Sequence, residues 1–438
     1  MTVPALTAPR RPKKLTVDER VMPNGLRVIV VRKPGVPLVE LRLRVPFQSA
    51  RAPHPAQAQL LSDAMLTGAG SYDRSGLAAA VQALGADLSV GVDADRLLIG
   101  GNALATSLPR LLALLGTVVN AATYPNGEVA TERERLVEKL SIARSRAGVI
   151  ASEALAHRLW GEHPYARELP HAEAVAATTP AQLRKLHADR VRPNGAVLVL
   201  VGDVSPKRVL DQVESALSEW TGEAAAQRVP ALPDVHTAPL LVVDRPGSVQ
   251  SSVRIGGKAL PRMDDGYPAL QLANLIFGGY FSSRWTENIR EDKGYTYGPH
   301  SRIEHNVLGS ALLLDVEVAT EVTAPALLET RYELGKIASL PVTEAEVDAV
   351  RQYAIGTLAL STSTQAGLAS TLAALAAFDL GLDWIAEHPR RLSAVTVEEV
   401  SAAAAEFFAP ARLVEVVVGD AGVVIAPLAA LGPITTDA

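Results

Sequence analysis

A long-range internal repeat constrains this chain more than any other feature of its sequence. Pro34-Gly35 opens the alternating run Leu38–Val45 (LVELRLRV), and at an offset of 212 residues Pro246-Gly247 opens Val249–Ile255 (VQSSVRI). A segment of helical period follows each, Ala56–Leu66 in the first half and Ala269–Phe277 in the second. Pro125-x-x-Glu128 heads a charged helical run, and Pro341-x-x-Glu344 heads its counterpart 216 residues later. Thr178–Asp203 then parallels Val395–Asp420 at an offset of 217, both ending in an apolar strand followed by Gly-Asp. An offset that drifts by only 5 residues across half a chain indicates one duplicated unit with small insertions.

Within the unit the order reads strand, strand, helix, strand, helix, helix, helix, strand. Period-2 runs predict strands over Leu26–Val31, Leu38–Val45, Leu88–Val92, Arg96–Gly101 and Val197–Val201. Ser75, Ser107 and Thr179-Pro180 mark helix starts before 76–84, 108–121 and 181–189. Strands and helices mixed without strict alternation predict α+β: two homologous domains, each a mainly antiparallel sheet with helices packed on one face. The aperiodic, proline-containing stretch 221–237 reads as the connection. The predicted map is a disordered N-terminal arm over 1–16, a first domain over 17–222, a linker over 223–238 and a second domain over 239–430.

Composition narrows the function. With 42 Lys+Arg against 47 Asp+Glu, the net charge of −5 argues against a nucleic-acid partner. The absence of cysteine removes disulfides, a thiol nucleophile and any Cys-type zinc site. A metal would fall to the nine histidines and the carboxylates, and no His-x3-His pair occurs among them. There is no Gly-x-Ser-x-Gly elbow and no P-loop. The first residues are basic without the apolar core of a signal peptide. The apolar stretches 107–122 and 367–381 fall short of the ~20 residues of a spanning helix. The expectation is a cytoplasmic protein with no membrane partner.

Asn24-Gly25-Leu26-Arg27-Val28-Ile29-Val30, His163-Pro164-Tyr165 and Val201-Gly202-Asp203 precede a further ordered set in the second half. That set is Phe277-Gly278-Gly279, Ser282-Ser283-Arg284 and the run 289–297 (IREDKGYTY). Together these resemble the M16 (pitrilysin-like, insulinase-like) metallopeptidases from about Val17 to Asp420. In size and two-domain make-up the chain resembles the short-chain branch, in which two chains close around a peptide like a clamshell. The resemblance therefore implies half of such a chamber.

The family's inverted zinc motif, His-x-x-Glu-His, places two imidazoles on one helical face with a Glu able to polarise the bound water. Aligned through Leu60, Leu61, Met65 and Leu66, this chain carries Gln59 and Asp63 at the histidine positions and Ser62 at the base position. Aligned through Glu134, Arg135 and Val137, it carries Ser141 where a distal Glu ligand would stand. All four positions are substituted, so the resemblance implies no metal in this chain and no peptide hydrolysis by it alone. The second half keeps the pattern Ile289-Arg290-x3-Gly294-x2-Tyr297. In the family such an Arg/Tyr pair binds the scissile carbonyl and the oxyanion that forms from it. Gly294 is expected to end a helix and turn the chain into a strand bearing Tyr297.

The implied function is the non-zinc-binding subunit of a heterodimeric peptidase. A homologous partner would carry the zinc, Arg290 and Tyr297 would act in trans, and the substrate would be a peptide. The alternative is a catalytically inert scaffold or peptide-binding subunit resembling the core subunits of the same family. An oxyanion clamp has no use in a scaffold, which favours the first reading.

Overall fold

The computed structural model describes residues 15–167, 169–225 and 229–436. The arm expected over 1–16 lies outside the described residues apart from Leu15 and Thr16, where the first strand begins. The first half opens with β1 (Thr16–Val21), β2 (Arg27–Arg32), β3 (Leu38–Pro46), α1 (His54–Ala64) and a small hairpin, β4 (Gly68–Ala69) and β5 (Tyr72–Asp73). It continues through α2 (Arg74–Gln82), β6 (Asp87–Val92), β7 (Arg96–Leu104), α3 (Leu108–Ala121), α4 (Asn126–Arg144) and α5 (Ala147–Trp160). It ends with α6 (Ala172–Ala176), α7 (Pro180–Arg190), β8 (Val197–Gly202) and α8 (Pro206–Ala216). The second half runs β9 (Leu240–Asp244), β10 (Gln250–Ala259), α9 (Tyr267–Asn274), α10 (Arg284–Thr286), β11 (His300–Asn306) and β12 (Gly309–Ala319). Then come α11 (Thr323–Ser339), α12 (Glu344–Ser361), α13 (Gln365–Leu375), α14 (Leu382–Ala394), α15 (Val397–Phe407), β13 (Val414–Gly419), α16 (Ala421–Ala429) and β14 (Ile434–Thr436).

Each half builds a six-stranded sheet, in the orders β1-β2-β8-β3-β7-β6 and β14-β9-β13-β10-β12-β11. Five positions correspond one to one: β2 with β9, β8 with β13, β3 with β10, β7 with β12 and β6 with β11. Most neighbours are antiparallel, while β2–β8 and β13–β9 are parallel in both halves. The sixth position breaks the repeat. In the first sheet β1 fills it antiparallel to β2, and in the second β14 fills it parallel to β9. Each sheet thus takes its outer edge from a different end of the described chain.

Helix starts follow the local chemistry. Thr179 with Gln182, Thr343 with Glu346 and Thr396 with Glu399 form capping boxes at α7, α12 and α15. The Gly of each Gly-Asp pair has a packing reason. A Cβ at Gly202 would collide with the Leu38 carbonyl, and one at Gly419 with the Ser251 side chain.

The expected helices on one face are present, and the opposite face is covered as well. In the first sheet Val28, Val30, Val39, Leu41, Leu198 and Leu200 face the helices of their own half. Ile29, Val31, Val197, Val199 and Val201 face the other way and bury Leu368, Ala369 and Leu372 of α13, a helix of the second half. The exchange is reciprocal, since α5 of the first half lays Ala151, Leu155 and Leu159 on Leu313, Val414, Val416 and Val418 of the second sheet. Strands buried on both faces carry near-continuous apolar runs, which is why β8 shows no alternation and β13 is apolar but for Glu415, which is buried and paired with Arg331. A polar latch repeats with the exchange. Arg42 Nε donates to Ser370 Oγ on α13 (3.1 Å), and Arg254 Nε donates to Ser152 Oγ on α5 (3.4 Å). The two arginines are 212 residues apart, at the offset of the Pro-Gly markers.

Candidate functional site

The degenerate metal motif lies on α1, where Leu60 and Leu61 are fully buried and hold the opposite face toward the cleft against α4. Gln59 Nε2 donates to Asp63 Oδ1 (3.1 Å), and Ser62 Oγ donates to the Gln59 carbonyl (2.8 Å). A cleft of about 390 Å³ is lined by Ser62, Asp63, Leu66, Val90, Glu132, Arg135, Leu136 and Lys139. Ser141 is absent from that lining and is exposed. The position facing Asp63 is Lys139 rather than Ser141, because residues 132, 136 and 139 share one face of α4 while 141 lies two residues round the helix. The charged run around Glu132 therefore serves the cleft and not only a solvated face.

These residues do not fit a zinc ion. Glu132 accepts from Arg74 Nη1 (2.7 Å) and Arg135 Nη1 (3.1 Å), so its carboxylate is already paired. Asp63 is pushed upward by burial and held back by the Gln59 amide and the Lys139 charge. An amide, one carboxylate and an ammonium make a poor set for a metal that prefers imidazole or thiolate. Among the described residues no three His, Asp or Glu side chains converge as metal ligands.

Arg290 and Tyr297 come together in the second half. Arg290 sits in a π-helical turn, Glu287–Asp292, continuous with α10. The turn is fixed to α11 by Asn288 Nδ2, which donates to Glu329 Oε2 and Glu333 Oε1, both at 3.0 Å. Gly294 ends it with φ +65°, donating to the Arg290 carbonyl (3.1 Å) as a left-handed terminal residue should. The chain does not enter a strand at Tyr297. That residue stands on the loop before β11 and is 90% exposed. The guanidinium carbon of Arg290 lies 5.3 Å from the centre of the Tyr297 ring and 4.5 Å from that of Phe281. Arg290 Nε pairs with Glu291 at 3.2 Å. The two Nη groups hydrogen-bond to no described residue, which leaves the donor fork free beside a free phenol.

Three buried histidines serve the fold. His54 Nε2 bonds the Phe47 carbonyl (2.7 Å), and His187 bridges the Val119 carbonyl and Tyr124 Oη at 2.8 Å each. The His163-Pro164-Tyr165 motif joins the halves. His163 Nε2 bonds the Pro230 carbonyl (3.1 Å) in the connection between domains. Tyr165 Oη donates to Asp95 (2.7 Å) and accepts from Leu308 N, and Asp95 also accepts from Val307 N (2.8 Å). Sequence reasoning gave Asp95 no role, and a lone Asp in a turn carries no signal that could have done so.

Among the described residues no single helix is long and apolar enough to cross a membrane; the apolar α13 is buried against the first sheet. The profile of the peptidase M16 inactive domain matches residues 177–353. An uncharacterised zinc protease of Mycobacterium tuberculosis is 25% identical over 410 residues, 91% of each chain. A probable inactive metalloprotease of Bacillus subtilis is 25% identical over 213 residues, 48% of this chain and 49% of its own length. The crystal structure of a peptidase M16 inactive domain from Pseudomonas fluorescens superposes with a TM-score of 0.85 at 26% identity, covering 93% of this chain and 98% of that one. A protease from Helicobacter pylori shares the fold at 16% identity, with a TM-score of 0.85 over 92% of this chain and 99% of that one. A duplicated six-stranded α+β unit, the ordered motifs and these likenesses agree: over nearly its whole length the chain is similar to two-domain proteins of the peptidase M16 type, and its residues 177–353 match the inactive domain of that family.

Proposed function

We propose that this chain is the non-zinc-binding subunit of a heterodimeric M16-type endopeptidase, supplying half of the peptide chamber and, in trans, the Arg290/Tyr297 pair. The carrying observation is a free guanidinium fork beside an exposed phenol, in a chain whose own α1–α4 cleft offers an arginine-paired Glu132, an amide-bonded Asp63 and the ammonium of Lys139 instead of a metal-binding set. The zinc and its bound water would come from a homologous partner. The work of this chain is then donation: the Arg290 Nη groups and Tyr297 Oη offer N–H and O–H to the oxygen of a scissile carbonyl. As that oxygen gains negative charge the bonds strengthen, which lowers the barrier more than it improves substrate binding. An inert scaffold would have no use for such a fork.

The test is reconstitution with the homologous chain that carries His-x-x-Glu-His. Arg290→Ala and Tyr297→Phe should leave assembly and the partner's zinc content intact and lower kcat by roughly 10²-fold, with a smaller change in KM. If both variants cleave at the unmodified rate, the chain is a scaffold or a chamber wall.

A further inference from the structure

We infer that Phe281 is a positioning residue: its ring holds the Arg290 guanidinium in the direction from which the fork reaches a substrate carbonyl. The inference rests on the role proposed above for Arg290. Phe281 is 65% exposed, so its ring is open to a neighbouring cation rather than packed into the core. The guanidinium carbon of Arg290 lies 4.5 Å from the ring centre, inside the ~6 Å range in which a cation is attracted to an aromatic face.

The loop that carries Phe281 is pinned on both sides, and both pins come from α12. On one side Tyr280 packs its ring 5.2 Å from that of Tyr353. On the other, Arg284 makes a two-pronged contact with Glu346, Nε to Oε1 at 2.7 Å and Nη2 to Oε2 at 2.9 Å. Glu346 and Tyr353 are seven residues apart, two helical turns, and so share one face of α12. Where the loop enters α10, Ser283 Oγ and Thr286 Oγ1 are 2.8 Å apart. The backbone on either side of Phe281 is also unusual. A π-helical turn, Leu275–Gly279, precedes the loop, and the second π-helical turn carries Arg290 itself. Such turns shift the register of the side chains that follow by about one residue against an α-helix, and here ring and cation meet across the pair.

Without the ring, the described contacts left to the Arg290 side chain are its neighbour Glu291 and the 90% exposed Tyr297. A long side chain so weakly held regains its rotamer freedom. The fork would then have to be ordered during the reaction instead of before it, and the loss falls on kcat.

The experiment has two arms. In the full chain labelled with ¹⁵N-arginine, the Nε–Hε signal of Arg290 is identified by its disappearance in Arg290→Lys. Phe281→Leu should move that signal as the ring's magnetic effect is lost, and Phe281→Trp should keep it displaced. In the reconstituted complex, Phe281→Leu should lower kcat roughly 5- to 30-fold with KM within about twofold. Phe281→Trp should recover most of the rate, whereas a purely steric role would be met by Leu as well. Phe281→Leu should cost little further in an Arg290→Lys background. If Arg290→Ala lowers kcat but Phe281→Leu does not, or if the Nε–Hε signal ignores the ring, the positioning role is wrong while the function of Arg290 stands. If Arg290→Ala is itself silent, the proposed function fails and takes this inference with it.

Discussion

The reciprocal exchange of α5 and α13 predicts that the two halves unfold as one. Leu159 of α5 is 2% exposed on the second sheet, and Leu372 of α13 is 1% exposed on the first. Truncating a buried leucine to alanine costs about 2–5 kcal/mol through lost transfer energy and the cavity left behind. Taking about 3 kcal/mol, the thermal shift depends on how many residues melt together. Unfolding entropy is about 2.1 cal/mol/K per residue, so 438 residues in one transition give about 0.9 kcal/mol/K. Leu159→Ala and Leu372→Ala should then each lower a single Tm by about 3 °C. Were the halves independent, the same loss acting on half the entropy would move one of two transitions by about 6–7 °C and leave the other in place. Differential scanning calorimetry separates the cases. Two resolved transitions, only one of which responds to each variant, would refute the argument that the exchanged helices weld the halves together.

Two further outcomes are expected. His54 and His388 are buried and held near pKa 4 by desolvation, below the ordinary 6.5, so both are neutral in the fold. The unfolded chain binds the proton first, so their contribution is complete above pH 6.5 and is lost as pH falls from there toward 4, by about 3 kcal/mol each. Urea unfolding between pH 7.5 and 4.5 should show this slope, and His54→Gln should flatten it; an unchanged slope would contradict the assignment. For the α1–α4 cleft, Gln59→His, Ser62→Glu and Asp63→His combined with Lys139→Glu should retain zinc through dialysis. The same three changes combined with Ser141→Glu should retain no more than the three alone, as read by metal analysis, and equal retention by both sets would refute the placement of Lys139.

The duplicated core was legible because matched markers fell in order, and five strands of the first sheet were predicted to within about three residues at either end. β1 and β14 escaped for a shared reason. They lie outside the repeated unit, and β1 (TVDERV) is an edge strand whose charged residues mask its alternation. The α13 segment read as a short apolar run, but periodicity cannot tell which sheet such a helix covers. Arg290 and Tyr297 were singled out by the resemblance, and the structure brings the two side chains together after a break at Gly294. The strand expected at Tyr297 was not borne out, because the chain needs residues 295–299 to travel from the π-helical turn to β11. Ser141, placed through Glu134, Arg135 and Val137, is exposed and does not line the cleft, whereas Lys139 does. The buried Leu136 and Leu140 fix the register of α4 and turn Lys139 to the cleft. The pairing of Phe281 with Arg290 had no sequence signature, since it depends on two π-helical turns.

The two halves now differ in how they use positive charge. In the first, Arg74 spans Glu128 and Glu132, and Arg135 adds a second contact to Glu132. These pairs are partly exposed, with Arg74 at 44% and Arg135 at 62%, and exposed pairs contribute only about 0–1 kcal/mol each. The helix contact rests instead on Leu60, Leu61, Leu136 and Leu140, so the domain does not depend on a metal for its packing. In the second half, Arg290 meets a single carboxylate through Nε and turns its fork to aromatic neighbours and solvent. Aromatic rings attract a cation without neutralising its hydrogen-bond donors, so they orient the fork and leave its capacity for an anion intact. A duplicated unit that has tied down its cations in one copy and kept one oriented and unsatisfied in the other is built to meet negative charge brought by something else. Under the function proposed above, that charge would be the oxygen of a scissile carbonyl under attack.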